Sequence, residues 1–198
     1  MRVRRAHADD HDAVVSVLAR AFDSDPMVGY LLRQDRRRAA AYGGCFSAFF
    51  RHMCLPHGEV WLEEEGRGAA LWTPPGAWEV SLARALVMAP SLIAAVGPAR
   101  LLRSARGMAR VQAIHPKAPH YYLFALGVDP DAQGRGIGSA LLTRVLEQCD
   151  EKGMGAYLEA STASSARLYA RHAFLGQEEF RMAEDAPPIW PMWRDPLN

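Results

Sequence analysis

Apolar and polar positions in the first part of the chain follow both strand-like and helical periods. Residues 2–8, "RVRRAHA", alternate weakly and predict a first edge strand. Residues 9–22 begin with acids and then place apolar side chains at helical spacing, which predicts a helix. Pro26 and Gly29 predict a break after this helix. A second helix is expected over residues 36–52.

The middle of the chain predicts a hairpin followed by a helical region. Residues 59–63 and 69–73 are strand-like and flank a turn at residues 65–68. The segment "SLARALVMAPSLIAAVGPARLLRSARGMAR" is rich in Ala, Leu and Arg, and its two prolines, Pro90 and Pro98, predict two helices with breaks at these positions.

Strand and helix patterns alternate over the rest of the chain. The most strongly strand-like stretch is the aromatic and apolar run "HYYLFALGV". The predicted elements are strand 120–128, helix 136–152, strand 156–160, helix 164–172, and strands 177–182 and 189–194.

Length and composition indicate one globular domain. The chain has 198 residues, of which 49% are hydrophobic and 23% are charged, as in an ordinary folded domain with a sizeable core. No repeat, linker or low-complexity tract interrupts the pattern. Together with the alternation of strands and helices, this predicts a single α/β domain over residues 1–198.

The charge and hydropathy patterns argue against several classes of partner. The net charge is +1, so no overall field favours nucleic acid or acidic membranes, and the short basic run at residues 35–40 suits a solvated helix start. The N-terminus resembles no signal peptide. Residues 82–102 are the most apolar stretch, but Arg84 and Pro90 interrupt it. We expect a soluble, cytoplasmic protein with no membrane or nucleic-acid partner.

The cysteines predict neither a disulfide framework nor a metal site. Cys45, Cys54 and Cys149 form no CxxC pair, which indicates a reducing compartment. His52 and His57 lie near the first two cysteines, but the spacing fits no common zinc pattern. Packing of an apolar helix is the favoured interpretation.

A glycine-rich turn joins the strongest strand to the next helix. The stretch "GVDPDAQGRGIGSA" places Gly134, Gly136 and Gly138 at alternate positions across the helix start, where a plain turn needs only one glycine. Unpaired N–H groups and the positive end of the helix dipole favour an anion there, and Arg135 adds a cation. A Walker loop is absent from the sequence and the glycine order is not that of a Rossmann fingerprint. The pattern predicts a cradle for a phosphate.

Two motifs in this region resemble a known family. "QGRGIGSALL" is similar to the acetyl-CoA signature of the GNAT acetyltransferases, [RQ]-x-x-G-x-[GA], with Gln133, Gly136 and Gly138 in the fixed positions. About 30 residues later, "SARLYARHAF" resembles the family's LYxRxGF helix. Longer stretches across nearly the whole chain are similar to puromycin N-acetyltransferase and its relatives within that family. The resemblance implies the GNAT fold, a mixed, twisted sheet flanked by helices and splayed between its fourth and fifth strands, here 120–128 and 156–160.

The resemblance also implies acetyl-CoA (coenzyme A) as cofactor. The pantetheine arm would contact the main chain of Leu126, Gly127 and Val128, and an N–H near Gly127 or Val128 would polarise the thioester carbonyl. Ser164 and Ser165 stand where many relatives carry an Asn that contacts the cofactor, and Ser165 is the candidate contact. The pyrophosphate would bind the amides of Gln133, Gly134, Arg135, Gly136, Ile137, Gly138 and Ser139.

Two residues are candidates for catalysis. Tyr169 lies at the family's general-acid position, where a phenol with a reference pKa of about 10 stays protonated at neutral pH and can donate to a departing thiolate. Its alternative role is packing beside Phe174. Glu159, on a short central strand, is the candidate base or amine-orienting group, because a buried carboxylate is costly unless it is paired or functional. Its alternative is a partner for a core Arg or a backbone N–H.

The acceptor site is predicted in the segment "FDSDPMVGYL", which corresponds to a loop that lines the acceptor cleft in relatives. Asp23, Asp25 and Tyr30 would suit a cationic amine. Alternatively, Asp25 with the following proline forms only a turn and Tyr30 packs in the core. Trp72 and Trp78 lie near a possible cleft, although buried Trp usually belongs to a core.

Two positions depart from the expected patterns. Ala173 replaces a family glycine, which is a mild change if the backbone there is not left-handed. Pro191 lies inside the last predicted strand and suggests a bulge or a strand end.

The resemblance implies an acetyl-CoA-dependent N-acetyltransferase that acts on a primary amine, of an antibiotic or a metabolite, by direct attack in a ternary complex. Cys149 lies late in its helix and is poorly placed as an acyl carrier. Acetylation of a protein amine and a non-catalytic CoA-binding sensor or interaction module are the alternatives. A different nucleotide-binding regulator is disfavoured because no acidic ribose-binding residue occurs at Rossmann spacing. The protein is expected to be a monomer or a homodimer.

Overall fold

The computed structural model describes residues 1–197, which form one mixed β-sheet and the helices packed on it. The strands are β1 (Val3–Arg5), β2 (Val60–Glu63), β3 (Gly68–Thr73), β4 (His120–Val128), β5 (Gly155–Ala160), β6 (Leu175–Gly176) and β7 (Trp190–Arg194). The helices are α1 (His11–Ala21), α2 (Pro26–Leu31), α3 (Arg38–Phe49), α4 (Leu82–Val96), α5 (Leu101–Ile114), α6 (Ile137–Glu151) and α7 (Ala163–Ala170).

The strand order is β1-β2-β3-β4-β5-β7-β6. The pairs on either side are antiparallel, and the central pair, β4 with β5, is parallel. Helix α6 makes the crossover between these two strands, as a parallel connection requires. The fold is therefore the mixed α/β arrangement that the sequence predicts.

The central pair of strands separates soon after it begins. Residues 120–122 of β4 pair with residues 155–157 of β5, and beyond them the two strands diverge. In the ladder with β3, Leu71 pairs with Ala125 and Trp72 with Leu123, so Phe124 is a bulge in β4. The strand bends at this point, and the sheet opens between β4 and β5.

Alternate residues of β3 face two different cores. Ala70 and Trp72 pack with α6 and α7 on one face, whereas Ala69 and Leu71 pack with α1 and α3 on the other. The sheet is thus covered on both sides, which explains why all six residues of β3 are buried.

Helix α1 ends at Ala21, so the predicted break after it is confirmed, but Pro26 begins a second, short helix within the segment. Pro26 is the first residue of α2, a position where its missing N–H costs nothing. The carboxylate of Asp25 caps this helix by accepting the N–H groups of Met27 and Val28, both at 2.9 Å. Proline therefore starts a helix here.

Of the two predicted proline breaks, only the one at Pro98 is confirmed. Helix α4 ends at Val96, and its C-cap Gly97 leaves the helical region with a φ of +76°. Pro90 lies inside α4 on its exposed side, where water can satisfy the carbonyl that loses its partner.

The predicted strand 177–182 is largely wrong. The two-residue strand β6 lies just before this segment, and the segment itself forms only a single bridge from Phe180 to Ile189. The Gln177 N–H bonds to the Pro191 carbonyl at 2.8 Å, but Pro191 has no N–H to return, so the ladder is interrupted. Pro191 itself lies within β7 without a register shift against β5, so the predicted bulge or strand end is also wrong.

Within residues 1–197, no single helix is both long and apolar enough to cross a membrane. Leu82–Val96 and Pro98–Ile114 meet the criteria of length and composition only as a pair, and the two are bent by 96°.

Candidate functional site

The opening between β4 and β5 leads into a cavity of about 960 Å³. The start of α6 and helix α7 line one part of it, and helices α2 to α5 contribute to another. A cavity of this size is in the upper part of the range for small-molecule and cofactor sites.

The glycine-rich turn lies at the rim of this cavity. Gly134 and Gly136 have φ values of +76° and +82°, and a Cβ added at either glycine would meet no atom within 4 Å. The turn thus needs glycine for its backbone conformation and leaves space beside it. Gly136 is the N-cap of the 15-residue helix α6, whose first N–H groups have no partner within the helix. Of the predicted phosphate contacts, Gln133, Gly134, Gly136, Ile137, Gly138 and Ser139 line the cavity, whereas Arg135 is exposed outside its lining.

The end of β4, which pairs with β3 but has no partner strand on its β5 side, forms a second wall. Leu126, Gly127 and Val128 all line the cavity. The Gln133 side chain donates to the Val128 carbonyl at 3.2 Å, so this carbonyl already has a partner. Gly127 has a packing reason to be glycine as well, because an added Cβ would lie 2.8 Å from the Ala21 Cβ.

Tyr169 lies in the wall formed by α7. Tyr169 is only 6% exposed, and its ring packs edge-on against Phe174, with ring centroids 6.0 Å apart. Burial raises the pKa of the Tyr169 phenol, and the charge of Asp25 raises it further. Tyr169 therefore remains a protonated donor at neutral pH, and it also has the packing contact that the alternative interpretation expects.

Glu159 lies on β5 where the sheet opens, and its side chain is 10% exposed. Its Oε2 accepts a hydrogen bond from the Tyr122 hydroxyl at 2.9 Å. Its Oε1 is buried without a hydrogen-bond partner and lies 3.7 Å from Nδ1 of His115. Burial, followed by the nearby carboxylate, raises the pKa of Tyr122 well above its usual value. The neighbours of the Glu159 carboxylate are thus a hydrogen-bonded tyrosine and a nearby histidine, and not the core Arg that the alternative interpretation expects.

The three predicted acceptor residues fall in different places. Asp25 lines the cavity, caps α2, and accepts a hydrogen bond from the Ser161 hydroxyl. Asp23 is exposed, forms an ion pair with Arg38 at 2.9 Å and does not line the cavity. Tyr30 also lies outside the lining, because its buried ring packs in a separate core. The site predicted from this segment is therefore reduced to Asp25.

Tyr30 has a structural explanation. Its hydroxyl donates to the Asp185 carboxylate at 2.9 Å, and the Arg103 guanidinium lies 4.1 Å from its ring centroid. Trp72 is fully buried in the core, and Trp78 stacks on His115, so neither tryptophan lines the cavity.

Ser165 and Ser164 both line the cavity but differ in their hydrogen bonding. Ser165 and Thr162 form a reciprocal cap at the start of α7, in which the Ser165 hydroxyl donates to the Thr162 carbonyl at 2.9 Å. Ser164 is exposed at the cavity. The cap occupies the Ser165 hydroxyl, so Ser164 is the better candidate for a ligand contact.

Ala173 adopts a left-handed conformation, with φ of +64°. The condition for a mild change at this position is therefore not met. A Cβ in this region is strained by roughly 1–2 kcal/mol.

Most of the remaining lining is apolar. Charged side chains within the described lining come from two places: Asp25 and Glu159 beside the opening, and the exposed Arg167 on α7 and Arg171 directly after it. The apolar and aromatic lining contributed by helices α2 to α5, the segment before α2, and β4 includes Phe22, Met27, Val28, Leu31, Phe46, Phe49, Leu92, Val96, Met108, Val111, Tyr122 and Phe124.

Sequence reasoning missed several of these residues. Tyr122 and His115 come from a strand and from the residue after α5, and nothing in their local patterns shows that both approach Glu159. The apolar residues of α4 and α5 look like ordinary helix faces. Only the folded arrangement shows that Leu92 and Met108 border a cavity.

Comparisons with known proteins agree with this fold. Residues 69–174 match the sequence profile of the acetyltransferase (GNAT) family. An uncharacterized N-acetyltransferase of Schizosaccharomyces pombe is 23% identical over 209 aligned residues, which cover 99% of this chain and 84% of that protein.

Solved structures give the same result over the whole chain. A Corynebacterium glutamicum protein, named histone acetyltransferase HPA2 and related acetyltransferase, superposes with a TM-score of 0.75 and 27% identity, covering 99% of this chain and 96% of that one. A polyamine N-acetyltransferase of Drosophila melanogaster, which forms N-acetylagmatine, superposes with a TM-score of 0.64 and 18% identity, covering 98% and 99%.

Proposed function

Since the chain belongs to the acetyltransferase (GNAT) family, we propose that it transfers an acetyl group from acetyl-CoA to the primary amine of a small molecule by direct attack in a ternary complex. The observation that carries this proposal is one cavity that brings together the glycine-rich turn of α6, the end of β4 beyond its pairing with β5, Tyr169 and Glu159.

The residues at the α6 end of the cavity fit coenzyme A. The open space beside Gly134 and Gly136, the N–H groups at the start of α6 and the arginines on and directly after α7 suit a diphosphate. The side of Leu126 to Val128 that faces away from β3 has no partner strand, and its main chain suits the amide groups of a pantetheine arm. Bound there, acetyl-CoA would supply an activated acetyl thioester.

The protein's own groups would handle the protons of the reaction. Glu159 would bind the ammonium form of the acceptor and take one of its protons, which gives nitrogen the lone pair that it needs. Tyr169 would donate its phenolic proton to the departing thiolate and regain one from the nitrogen, which loses its second proton as the amide forms. A main-chain N–H near Gly127 or Val128 would stabilise charge on the carbonyl oxygen.

The acceptor is an amine on a mostly apolar body, such as an arylalkyl group. Asp25 and Glu159 supply negative charge near the opening, whereas the wall beyond them is apolar or aromatic. A second cation on the acceptor would have to be desolvated against that wall, which costs free energy unless it is paired. The resemblance to puromycin N-acetyltransferase makes puromycin one acceptor to be tested.

We propose further that residues 1–198 form a single domain, that the protein works in the cytoplasm, and that it is a monomer or homodimer. Acetylation of a protein amine is the second candidate function. A cavity of about 960 Å³ suits a small acceptor better than a polypeptide, which needs a long open groove.

The test is an assay of free thiol released from acetyl-CoA in the presence of different amines. The panel contains 2-phenylethylamine, puromycin, agmatine, spermidine and a peptide with a free N-terminus. We expect kcat/KM for the first two to exceed that for agmatine and spermidine by at least about tenfold. Preference for the peptide, or no thiol release with any amine, would overturn the proposal.

A variant of the wall sharpens this test. Met108 lines the cavity and is 46% exposed, so Met108→Glu adds a carboxylate without burying it fully. This variant should raise kcat/KM for agmatine relative to 2-phenylethylamine. The Met108→Leu variant is the matched control and should keep the wild-type preference.

A further inference from the structure

A pair of histidines lies beside Glu159, near the carboxylate oxygen that Tyr122 does not contact. His115 follows α5, and its Nδ1 lies 3.7 Å from Oε1 of Glu159. Its Nε2 lies 3.0 Å from Nε2 of His120, the first residue of β4. Nδ1 of His120 lies 2.6 Å from the Ala118 carbonyl.

The hydrogen-bond partners fix where each ring carries its proton. A carbonyl oxygen only accepts, so His120 carries its proton on Nδ1. In the neutral ring, Nε2 of His120 is then an acceptor, and His115 must donate to it from Nε2. Nδ1 of His115 is therefore left with a lone pair that faces Oε1 of Glu159.

This arrangement brings two acceptors face to face. It explains why Oε1 of Glu159 is buried without a hydrogen-bond partner at this distance. One added proton, on either atom, would let the two atoms approach from 3.7 Å to hydrogen-bond distance. The pair is thus built to receive a single proton that arrives through the carboxylate.

We infer that His115 is the terminal acceptor for the proton that the substrate ammonium loses to Glu159, and that His120 is a positioning residue that holds the His115 tautomer. This inference rests on the proposed function and extends it. The proton moves from the amine nitrogen to Glu159, and from Oε1 to Nδ1 of His115. It returns through Glu159 to water in the cavity after the product leaves.

The surroundings of the histidines suit this role. The groups that face His115 are Tyr122 and His120 from β4, Tyr157 and Glu159 from β5, and the stacked ring of Trp78, with centroids 3.8 Å apart. Both tyrosines have pKa values raised by burial and by Glu159, so they stay neutral. Burial lowers the pKa of His120, which keeps it neutral as the tautomer argument requires.

The kinetic test is the pH dependence of kcat/KM with an amine that the wild-type protein acetylates. His115→Asn keeps a polar side chain but cannot take up a proton. We expect kcat/KM to fall about 100-fold at pH 7 and much less at pH 9.5, where more of the amine is already deprotonated. The exposed residue His7 gives the control, and His7→Asn should match the wild type at every pH.

Combining variants tests whether the two groups act as a unit. Glu159→Gln should show the same pH-dependent loss, and the double variant with His115→Asn should be no slower than the slower single variant. A loss for His115→Asn that is equal at all pH values would indicate packing alone and would overturn the inference while leaving the proposed function intact.

A measurement on wild-type protein is independent of activity and of variant folding. The ring ¹⁵N shifts of the histidines, from long-range ¹H–¹⁵N NMR at pH 7.5, should show protonated Nε2 in His115 and protonated Nδ1 in His120. The opposite tautomer in either ring overturns the relay. If wild-type protein acetylates no amine, the proposed function fails and the relay fails with it.

Discussion

The Ser161 hydroxyl donates a hydrogen bond to Oδ2 of Asp25, which lies 136 residues earlier in the chain. The other oxygen of this carboxylate caps α2, so one side chain joins the acceptor-side helix to the end of β5. Asp25 was a candidate substrate ligand in the sequence. Its observed contacts make it first a fixed support for that part of the cavity wall.

Two substitutions of Asp25 should therefore show how much its capping of α2 contributes to stability, apart from its hydrogen bond to Ser161. Asp25→Ala removes the cap and should lower the free energy of unfolding by about 1 kcal/mol more than Asp25→Ser, which can still accept from the helix N–H groups. Urea denaturation measures both values. Equal stabilities for the two variants would contradict the capping role.

Tyr169→Phe tests the proposed general acid. The variant keeps the ring and its contact with Phe174, so the Kd for acetyl-CoA, measured by calorimetry, should equal that of the wild type. The value of kcat should fall by about 100-fold because no group then protonates the departing thiolate. An unchanged kcat would leave Tyr169 with its packing role alone.

Ala173→Gly should stabilise the protein. The left-handed backbone at this residue strains an alanine but not a glycine, and the relief exceeds the added chain entropy by about 1 kcal/mol. For a chain of this length the melting temperature should rise by roughly 2–4 °C. Ala170→Gly, inside α7, is the matched control and should lower it.

Gly136→Ala should have the opposite effect to Ala173→Gly. A side chain at φ of +82° is strained, so the free energy of unfolding should fall by about 1 kcal/mol or more. Because the turn must relax, calorimetry should also show weaker binding of coenzyme A. Undiminished affinity for coenzyme A would argue against the phosphate cradle at this turn.

The Asp150 and Arg194 pair should govern part of the acid stability. Arg194 is 3% exposed and makes two bonds to Asp150, at 2.7 and 2.8 Å, and this pairing holds the pKa of Asp150 below its usual value. A lowered carboxyl pKa stabilises the fold above the unfolded pKa of about 4, and that stability is lost as the pH falls further.

Asp150→Asn should cost about 3 kcal/mol at pH 7, because it leaves a buried guanidinium without its counter-ion. The difference from wild type should shrink as the pH is lowered below about 4. The exposed Asp195 provides the control, and Asp195→Asn should change stability little. A pH-independent deficit for Asp150→Asn would contradict the linkage.

Local patterns predicted the elements that position the site. The run "HYYLFALGV" formed β4, the glycine-rich turn began α6, and the hairpin of β2 and β3 appeared where turn residues interrupt two strand-like runs. These elements are dictated by local backbone preferences and by runs of apolar residues, which a sequence records directly.

The errors came from prolines and from contacts between distant residues. Pro26 starts α2 because a capping carboxylate precedes it, and Pro90 is tolerated on an exposed helix face. Tyr30 looked like a ligand but pairs with Asp185, 155 residues later. His115 gave no signal at all, because its meaning depends on Glu159 and His120 lying beside it in the folded sheet.

The opening between β4 and β5 has a mechanical consequence for the whole domain. Only three residue pairs join the half of the sheet that carries β1 to β4 to the half that carries β5 to β7. A ligand whose amides hydrogen-bond to the stretch of β4 beyond Tyr122 would hold the two halves of the sheet together across this seam, the line where β4 and β5 separate. Amide protons on both sides of the seam should then exchange with deuterium more slowly, and in concert, once coenzyme A is bound.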